Sequence, residues 1–185
     1  MTDWSSKSLR ELQEHFLADS TNAMPIAGMI CWAALGVAGL FLSEARVGQG
    51  ALYIMMAVLP LAWLIERTRG RNLFSGGDDP LTRLFLTSVL GIAIVVPIAV
   101  IAANAAGEPL LVVLGMAVLV GAIWIPYGWA ADDPVGLRRA VGQAVGCYAA
   151  YALVPQPYTA SAICAVVVAG YVYVLLAAKK MGPQS

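Results

Sequence analysis

The run LFLTSVLGIAIVVPIAVIAA at residues 84–103 decides the fold class of this chain. It contains no Asp, Glu, Lys, Arg or His, and its only polar side chains are the hydroxyls of Thr87 and Ser88. A bilayer core about 30 Å thick requires roughly 20 helical residues to cross it, and a backbone in lipid must satisfy its own hydrogen bonds. The run therefore predicts a membrane-spanning α-helix.

Five further apolar runs accompany this one, at residues 23–42, 47–65, 109–131, 140–154 and 158–178. Hydrophobic residues make up 60 % of the chain and charged residues 12 %, which is far from the composition of a water-soluble domain. The runs are continuous rather than alternating, which argues against an outer-membrane barrel. We expect an all-α polytopic membrane protein with six transmembrane helices within residues 23–178.

The basic residues are distributed unevenly between the seven polar segments that flank these runs. Of the 11 Lys and Arg residues, all except Arg46 fall in the odd-numbered segments. These are Lys7, Arg10, Arg67, Arg69, Arg71, Arg83, Arg138, Arg139, Lys179 and Lys180. Because cytoplasmic loops retain Lys and Arg, both termini are expected in the cytoplasm, as an N-terminal segment at residues 1–22 and a tail at residues 179–185.

The segment ahead of the first run has the pattern of a short amphipathic helix. Ser8 and Glu11 have the spacing of a capping box. Leu9, Leu12 and Phe16 then recur on one helical face. The pattern predicts a helix that lies on the inner membrane surface.

Two parts of the chain resemble each other. The Pro-x-x-Trp-x-x-acid pattern that closes the second run at residues 60–66 returns at the end of the fourth, at residues 126–132. Asp-Asp-Pro then opens the third run at residues 78–80 and the fifth at residues 132–134. The repeat predicts either a duplicated inner hairpin or convergence on residues common at helix ends, and the sequence leaves both open.

The fifth run is short, at residues 140–154. Arg138 and Arg139, which precede it, are therefore expected to snorkel toward water. Gly142 and Gly146 lie four residues apart in this run, where they would let another helix approach closely.

The sequence contains no recognisable catalytic or metal-binding set. No Asp, Glu, Lys, Arg or His falls in the middle third of any run, and such residues mark most intramembrane proton relays. The three cysteines, Cys31, Cys147 and Cys164, lie inside apolar runs and predict small helix-packing residues. The formal net charge is zero, so nucleic acid is not an expected partner. We expect no catalytic residue, no metal and no cofactor, and an enzyme is the least favoured class.

Two groups of residues are candidates for a functional site. The first is a polar cluster at the inner helix ends: Glu66, Arg67, Asp79, Arg83, Asp132, Asp133 and Arg138. It is interpreted either as helix caps and salt bridges, with Asp79 before Pro80 as a capped helix start, or as a gate or anion site. The second is a cavity lining: Trp124, Tyr127, Trp129, Gln143, Tyr148 and Tyr151. Polar groups of this kind form interhelical hydrogen bonds or line a ligand cavity.

Three motifs carry a resemblance to a known family. They are Leu59-Pro60, Asp79-Pro80-Leu81 and GAIWIPYGW at residues 121–129. The chain resembles a bacterial family of integral membrane proteins known only as a domain of unknown function, numbered seven-zero-one-zero. The resemblance covers roughly residues 23–135 and implies a six-helix membrane protein without a known activity. Asp79 stands where the family tends to have Asn, and Ile123 where it has His, which puts in doubt any chemistry of that histidine.

The function that the sequence favours is binding or passage of a neutral or apolar small molecule through a helix-lined cavity, in a bacterial inner membrane. The alternative is an accessory or scaffold subunit that docks on a larger membrane complex. Membrane lipid is the expected partner in both cases, and a homo-oligomer is compatible with either. An enzyme would require the fold to assemble a polar cluster such as Glu66, Asp79 and Asp132.

Overall fold

A computed structural model describes residues 7–70 and 79–180 of the chain. These residues form eight helical segments and no β-strand: α1 Leu9–Asp19, α2 Ala23–Ala38, α3 Glu44–Thr68, α4 Pro80–Ala106, α5 Leu110–Ala122, α6 Trp124–Ala130, α7 Val135–Leu153 and α8 Thr159–Lys180. The side chains of Arg71, Lys179 and Lys180 and the tail after residue 180 lie outside the described residues. The all-α class predicted from the sequence is confirmed.

Four helices are long and apolar enough to cross a membrane. They are α3, α4, the segment Leu110–Ala130 that joins α5 to α6 across Ile123, and α8. α1 and α2 meet at 54° and would together add a fifth, broken span. The first predicted span corresponds to the 16-residue α2, and the fifth to α7, which is not among the four. By length and composition these helices are compatible with a membrane protein, and the count of six stays a prediction.

The main hydrophobic core lies where α2, α5, α7 and α8 meet. α2 packs against α3 and α8, and α7 packs against α5, α6 and α8. Trp32 of α2, Met116 of α5 and Ile163 of α8 are among the largest fully buried side chains. α5 is the central helix, because it contacts α3, α4, α7 and α8.

α4 lies at the periphery of this core. Only Leu81 and Ala103 of its described side chains are buried, while Leu90, Ile94 and Ile98 are exposed. An exposed apolar face of this length is compatible with a helix surrounded by lipid.

α6 and α7 approach each other backbone to backbone. A methyl group added to Gly136 would lie 2.6 Å from Gly128 Cα and also meet the Trp124 carbonyl oxygen. The two glycines therefore let the chain reverse at Asp132, whose φ is 51°.

The two glycines of the predicted helix-contact motif, Gly142 and Gly146, have different surroundings. Gly146 faces Val166 of α8, but a Cβ on Gly142 would meet nothing within 4 Å. One of the two glycines predicted to mark a helix contact therefore does so.

The two predicted inner hairpins are packed differently. The main neighbours of α3 are α2 and α5, whereas those of α4 are α1, α5 and α6. Within the described part of the chain, the close hairpin contact is thus made by α6 and α7 and has no counterpart of equal closeness between α3 and α4. Duplication of the hairpin stays a hypothesis.

α1 is held by a capping box and by an aromatic contact. Ser8 Oγ accepts from Glu11 N at 3.4 Å, and Ser8 N donates to Glu11 Oε2 at 2.7 Å, so the predicted capping box is confirmed. The Ser8 backbone N–H lowers the pKa of the Glu11 carboxyl group. Phe16 packs against Phe85 and Tyr127, with ring centroids 6.1 Å and 5.7 Å away. α1 is therefore docked on the bundle, at what we call the α1 end.

Asp79 caps the start of α4. Its Oδ1 accepts from Leu81 N at 3.4 Å, and its Oδ2 accepts from Thr82 N at 3.1 Å and from Thr82 Oγ1 at 3.0 Å. The side chain is buried. These bonds satisfy amides that have no partner within the helix.

Asp79→Ala is expected to lower the free energy of unfolding by about 1–2 kcal/mol, because two backbone amides and the Thr82 hydroxyl lose their acceptor. Thermal unfolding in a non-ionic detergent measures the effect. Asp79→Asn keeps one side-chain oxygen and is expected to retain most of the stability. An Asp79→Ala midpoint equal to that of the native protein would contradict the assignment of the cap.

Candidate functional site

An open cleft of about 580 Å³ lies at the α1 end, between α1, α6, the start of α7 and the end of α8. Its lining includes Trp124, Tyr127, Arg10, Gln13, Glu14, Asn22, Asp132, Asp133, Gly136, Val174 and Ala177. Two aromatic rings and a rim of polar side chains thus face one space. The volume lies in the range of small-molecule sites, but the cleft is open and its lining is more polar than that of most such sites.

The rim is positioned by hydrogen bonds around the α6–α7 turn. Gln13 Nε2 donates to the Trp129 carbonyl oxygen at 3.2 Å, which ties α1 to α6. Asp133 N donates to the Gly128 carbonyl oxygen at 2.8 Å, and Asp133 Oδ1 accepts from Val135 N at 2.8 Å. The turn therefore holds the Asp133 carboxylate at the start of α7 and leaves Asp132 exposed beside it.

Arg139 lies directly behind the aromatic floor of the cleft. Its side chain is 2 % exposed, and its Cζ lies 3.9 Å from the Trp124 ring centroid and 4.0 Å from the Tyr171 ring centroid. The guanidinium thus packs against one ring of α6 and one of α8, whose centroids lie 6.4 Å apart with an interplanar angle of 79°. Trp124 also lines the cleft, so a single ring separates the cleft from this cation.

The edge of the Arg139 guanidinium is poorly satisfied. Nε donates to Gln143 Oε1 over a long distance of 3.5 Å. Nη1 and Nη2 are buried and have no hydrogen-bond partner in the described part of the chain. Stacking interactions occupy the two faces of a guanidinium but do not satisfy the N–H donors at its edge.

Gln143 joins α7 to α5 behind Arg139. Its Nε2 donates to the Ala117 carbonyl oxygen at 2.7 Å, and its side chain packs against Gly121, where a Cβ would lie 3.2 Å from Nε2. Arg139 and Gln143 lie four residues apart and so share one face of α7. Gln143 supports the arginine and does not line the cleft.

The other predicted cavity residues are distributed around the bundle. Trp124 and Tyr127 line the cleft, and their role in a ligand cavity stays a prediction. Trp129 and Tyr148 are exposed on the outside, and Tyr151 packs on the edge of the main core.

The residues of the predicted polar cluster likewise lie at separate places in the bundle. Asp132 and Asp133 lie at the rim of the cleft, while Asp79 caps α4. Arg83 and Arg138 are exposed. Glu66 and Arg67 lie at the end of α3 and do not line the cleft.

Glu66 forms a separate buried polar contact. Its Oε1 accepts from Thr21 Oγ1 and from Arg69 Nη1, the latter at 3.5 Å. Arg67 instead stacks on Trp63, with Cζ 5.0 Å from the ring centroid. Glu66 thus ties the end of α3 to the link between α1 and α2.

Thr21→Val is expected to lower the free energy of unfolding by about 2 kcal/mol, because a buried carboxylate loses a neutral donor at nearly unchanged volume. Thr68→Val is the matched control, since the Thr68 hydroxyl is exposed and bonds within its own helix to Ile65. Thermal unfolding of both variants in detergent measures the difference. Equal midpoints would show that the Thr21–Glu66 bond does not stabilise the α1 end.

Sequence reasoning missed Arg139 and Tyr171 as site residues. The prediction that Arg138 and Arg139 both snorkel to water is wrong for Arg139, which turns inward, whereas Arg138 is exposed. Adjacent helical residues point about 100° apart, so the two arginines have different surroundings. The shared helical face of Arg139 and Gln143 was the signal that could have distinguished them.

The cysteines agree with their prediction. Cys31, Cys147 and Cys164 are free and buried. Across residues 7–70 and 79–180, no group of three or more His, Cys, Asp or Glu side chains could hold a metal ion.

A family model matches residues 9–179 of the chain. The chain belongs to the family of unknown function DUF7010. The DUF7010 match runs from α1 nearly to the end of α8, and so extends well beyond the resemblance seen in the sequence motifs. No curated protein and no solved structure matches the chain.

Proposed function

We propose that this DUF7010 protein is a multi-pass membrane protein that binds a small molecule in the cleft at the α1 end. The observation that carries the proposal is the cleft itself, about 580 Å³ in volume, with Trp124 and Tyr127 in its lining and charged groups at its rim. A helix bundle that served only as a membrane anchor would have no need of such a space.

The cleft is assigned to the cytoplasmic side of a bacterial inner membrane. The assignment rests on the distribution of Lys and Arg, which places α1 and the α6–α7 turn inside. The rim residues Asp132 and Asp133 would then meet ligands that come from the cytoplasm or from the inner leaflet.

The residues that line the cleft favour a more polar ligand than the neutral or apolar one that the sequence favours. Arg10, Glu14, Asp132 and Asp133 line the cleft beside the rings. A ligand with both an apolar part and polar or charged groups fits this lining better than a purely apolar one. We propose binding as the function, with transport of the same ligand across the membrane as its extension.

The exposed face of α4 favours a second candidate, an accessory subunit of a larger membrane complex. Its row of Leu90, Ile94 and Ile98 is available to another transmembrane helix as well as to lipid.

Gentle extraction from native membranes, followed by mass spectrometry of the retained molecules, tests the proposal. The native protein is expected to retain a small molecule at a fixed ratio. Ala177→Trp, which fills the cleft, is expected to lose it, and Ala169→Trp, on the exposed face of the same helix, is expected to keep it.

Retention of the molecule by Ala177→Trp, or its absence from the native protein, would contradict binding in the cleft. A co-purifying protein at a fixed ratio, with no retained small molecule, would instead support the accessory subunit.

A further inference from the structure

Arg139 is the one buried cation in the described part of the chain whose donors are left without acceptors. Removal of a guanidinium from water is unfavourable unless a carboxylate, phosphate or set of carbonyls replaces the water. None of the salt bridges of the described residues includes Arg139. Tyr171 is the polar neighbour that interacts with the Arg139 charge, but its neutral hydroxyl does not replace a carboxylate or phosphate, so the unmatched Nη donors point to an acceptor that the chain itself does not provide.

The geometry around Arg139 specifies what kind of acceptor fits. Trp124 and Tyr171 contact the guanidinium through rings that lie 79° apart, and neither ring replaces the hydrogen bonds that a partner makes in the guanidinium plane. Nη1 and Nη2 present parallel N–H donors in that plane, and carboxylate and phosphate oxygens match this fork. Gln143 occupies the Nε side, which leaves the Nη edge for a ligand.

The cleft supplies the route to this edge. Gly136 of α7 lines the cleft and lies three residues from Arg139. Val174 of α8 also lines it and lies three residues from Tyr171. Each spacing is about one helical turn, or roughly 5 Å along the helix axis. A rotation of the Trp124 ring would therefore join the cleft to the guanidinium.

The rim adds a second element of selectivity. Arg10 and Glu14 of the lining pair with each other at 3.2 Å, whereas Asp132 and Asp133 form no ion pair among the described residues. A simple anion would be repelled by these carboxylates on its way to Arg139. A ligand that also carries an amine would be attracted by them.

We propose that Arg139 binds the phosphate or carboxylate group of a zwitterionic ligand, while the amine of the ligand faces Asp132 and Asp133. This inference rests on the proposed function, because the cleft is the path to Arg139. The ligand is either a soluble zwitterion or the headgroup of an aminophospholipid, which share this chemistry. Trp124 forms the wall that the ligand displaces or stacks against.

A purely structural role for Arg139 makes different predictions. In that case the two ring contacts would brace α6, α7 and α8, and added zwitterions would leave the protein unchanged. Phosphoethanolamine distinguishes the two roles, because it carries both charges and no acyl chain.

The test is thermal unfolding of the full chain in a non-ionic detergent, with phosphoethanolamine titrated against ethanolamine and sodium chloride at equal ionic strength. Phosphoethanolamine is expected to raise the unfolding midpoint in a saturable manner, and the two controls are not. Arg139→Gln is expected to weaken the apparent affinity about 30-fold or more, as for the loss of a charge-assisted hydrogen bond. Arg138→Gln, the exposed neighbour, is expected to bind as the native protein does.

Asp132→Asn keeps the inference testable if Arg139→Gln does not fold. Asn tolerates the positive φ of this exposed residue, so the variant is expected to fold normally. It is expected to weaken binding of phosphoethanolamine but not of inorganic phosphate. No saturable effect of phosphoethanolamine on the native protein, or equal losses in Arg138→Gln and Arg139→Gln, would overturn the inference.

Lipid analysis of the purified protein distinguishes the two possible sources of the ligand, a soluble zwitterion and a lipid headgroup. An aminophospholipid that is retained by the native protein and lost in Arg139→Gln identifies a headgroup, and binding of phosphoethanolamine without retained lipid identifies a soluble ligand. If Ala177→Trp still binds phosphoethanolamine and Arg139→Gln does not, the cleft proposal fails and the arginine site stands. If a molecule is retained in the cleft independently of Arg139, the arginine site fails and the cleft proposal stands.

Discussion

Gly136→Ala is expected to lower the free energy of unfolding by about 3 kcal/mol, the upper end of the range for overpacked interiors. The added methyl group would meet the Trp124 carbonyl oxygen and lie 2.6 Å from Gly128 Cα. Both obstacles belong to backbone, which cannot move away as a flexible side chain can. Relief of the contact requires α6 and α7 to separate, and with them the turn that holds Asp132 and Asp133 at the cleft.

Gly142→Ala is the matched control, on the same helix. A Cβ at Gly142 meets nothing within 4 Å, and alanine is the better helix former by about 1 kcal/mol. Its midpoint of thermal unfolding in detergent is therefore expected to equal or exceed that of the native protein. Similar midpoints for Gly136→Ala and Gly142→Ala would show that the α6–α7 contact is looser than the structure indicates.

Trp32→Ala is expected to cost about 3–5 kcal/mol of unfolding free energy, as in other large-to-small changes of fully buried aromatic residues. Trp32 is 0 % exposed and belongs to the core formed by α2, α5 and α8. Deletion of the indole ring leaves a cavity whose lining loses its dispersion contacts. Lipid cannot fill it, because the helices enclose it.

Trp129→Ala is the control for this prediction, since the Trp129 ring is exposed on α6. Its loss is expected to change the unfolding free energy by less than about 1 kcal/mol. Both variants can be compared by thermal unfolding or by titration with a denaturing detergent. A Trp129→Ala effect as large as that of Trp32→Ala would mean that the outer surface of α6 is covered by a partner.

The local features of the fold could be read from the sequence because each depends on neighbouring residues. The capping box at Ser8 and Glu11 and the cap at Asp79 are formed by side chains within three residues of their amides. The apolar run at residues 84–103 likewise lies wholly within α4. In these cases the residues in contact are also close in sequence.

The candidate site could be predicted only in part. Trp124 and Tyr127, two of the residues predicted to line a ligand cavity, lie in the lining of the cleft, and the ligand cavity itself stays a prediction. Tyr148 is also an aromatic residue within an apolar run, yet its side chain is exposed. Composition alone does not give the rotation of a helix about its axis in a membrane protein, because the lipid-facing and buried faces are both apolar.

The sequence by itself determined the all-α class of this protein, since the length and continuity of its apolar runs predict membrane helices, and the distribution of Lys and Arg predicts their orientation. The tertiary structure decided which of two adjacent arginines is buried. Arg139 points inward because α6 and α8 place Trp124 and Tyr171 against it, while Arg138 stays exposed. That choice depends on residues 15 and 32 positions away in the chain, which are brought together only when the helices pack.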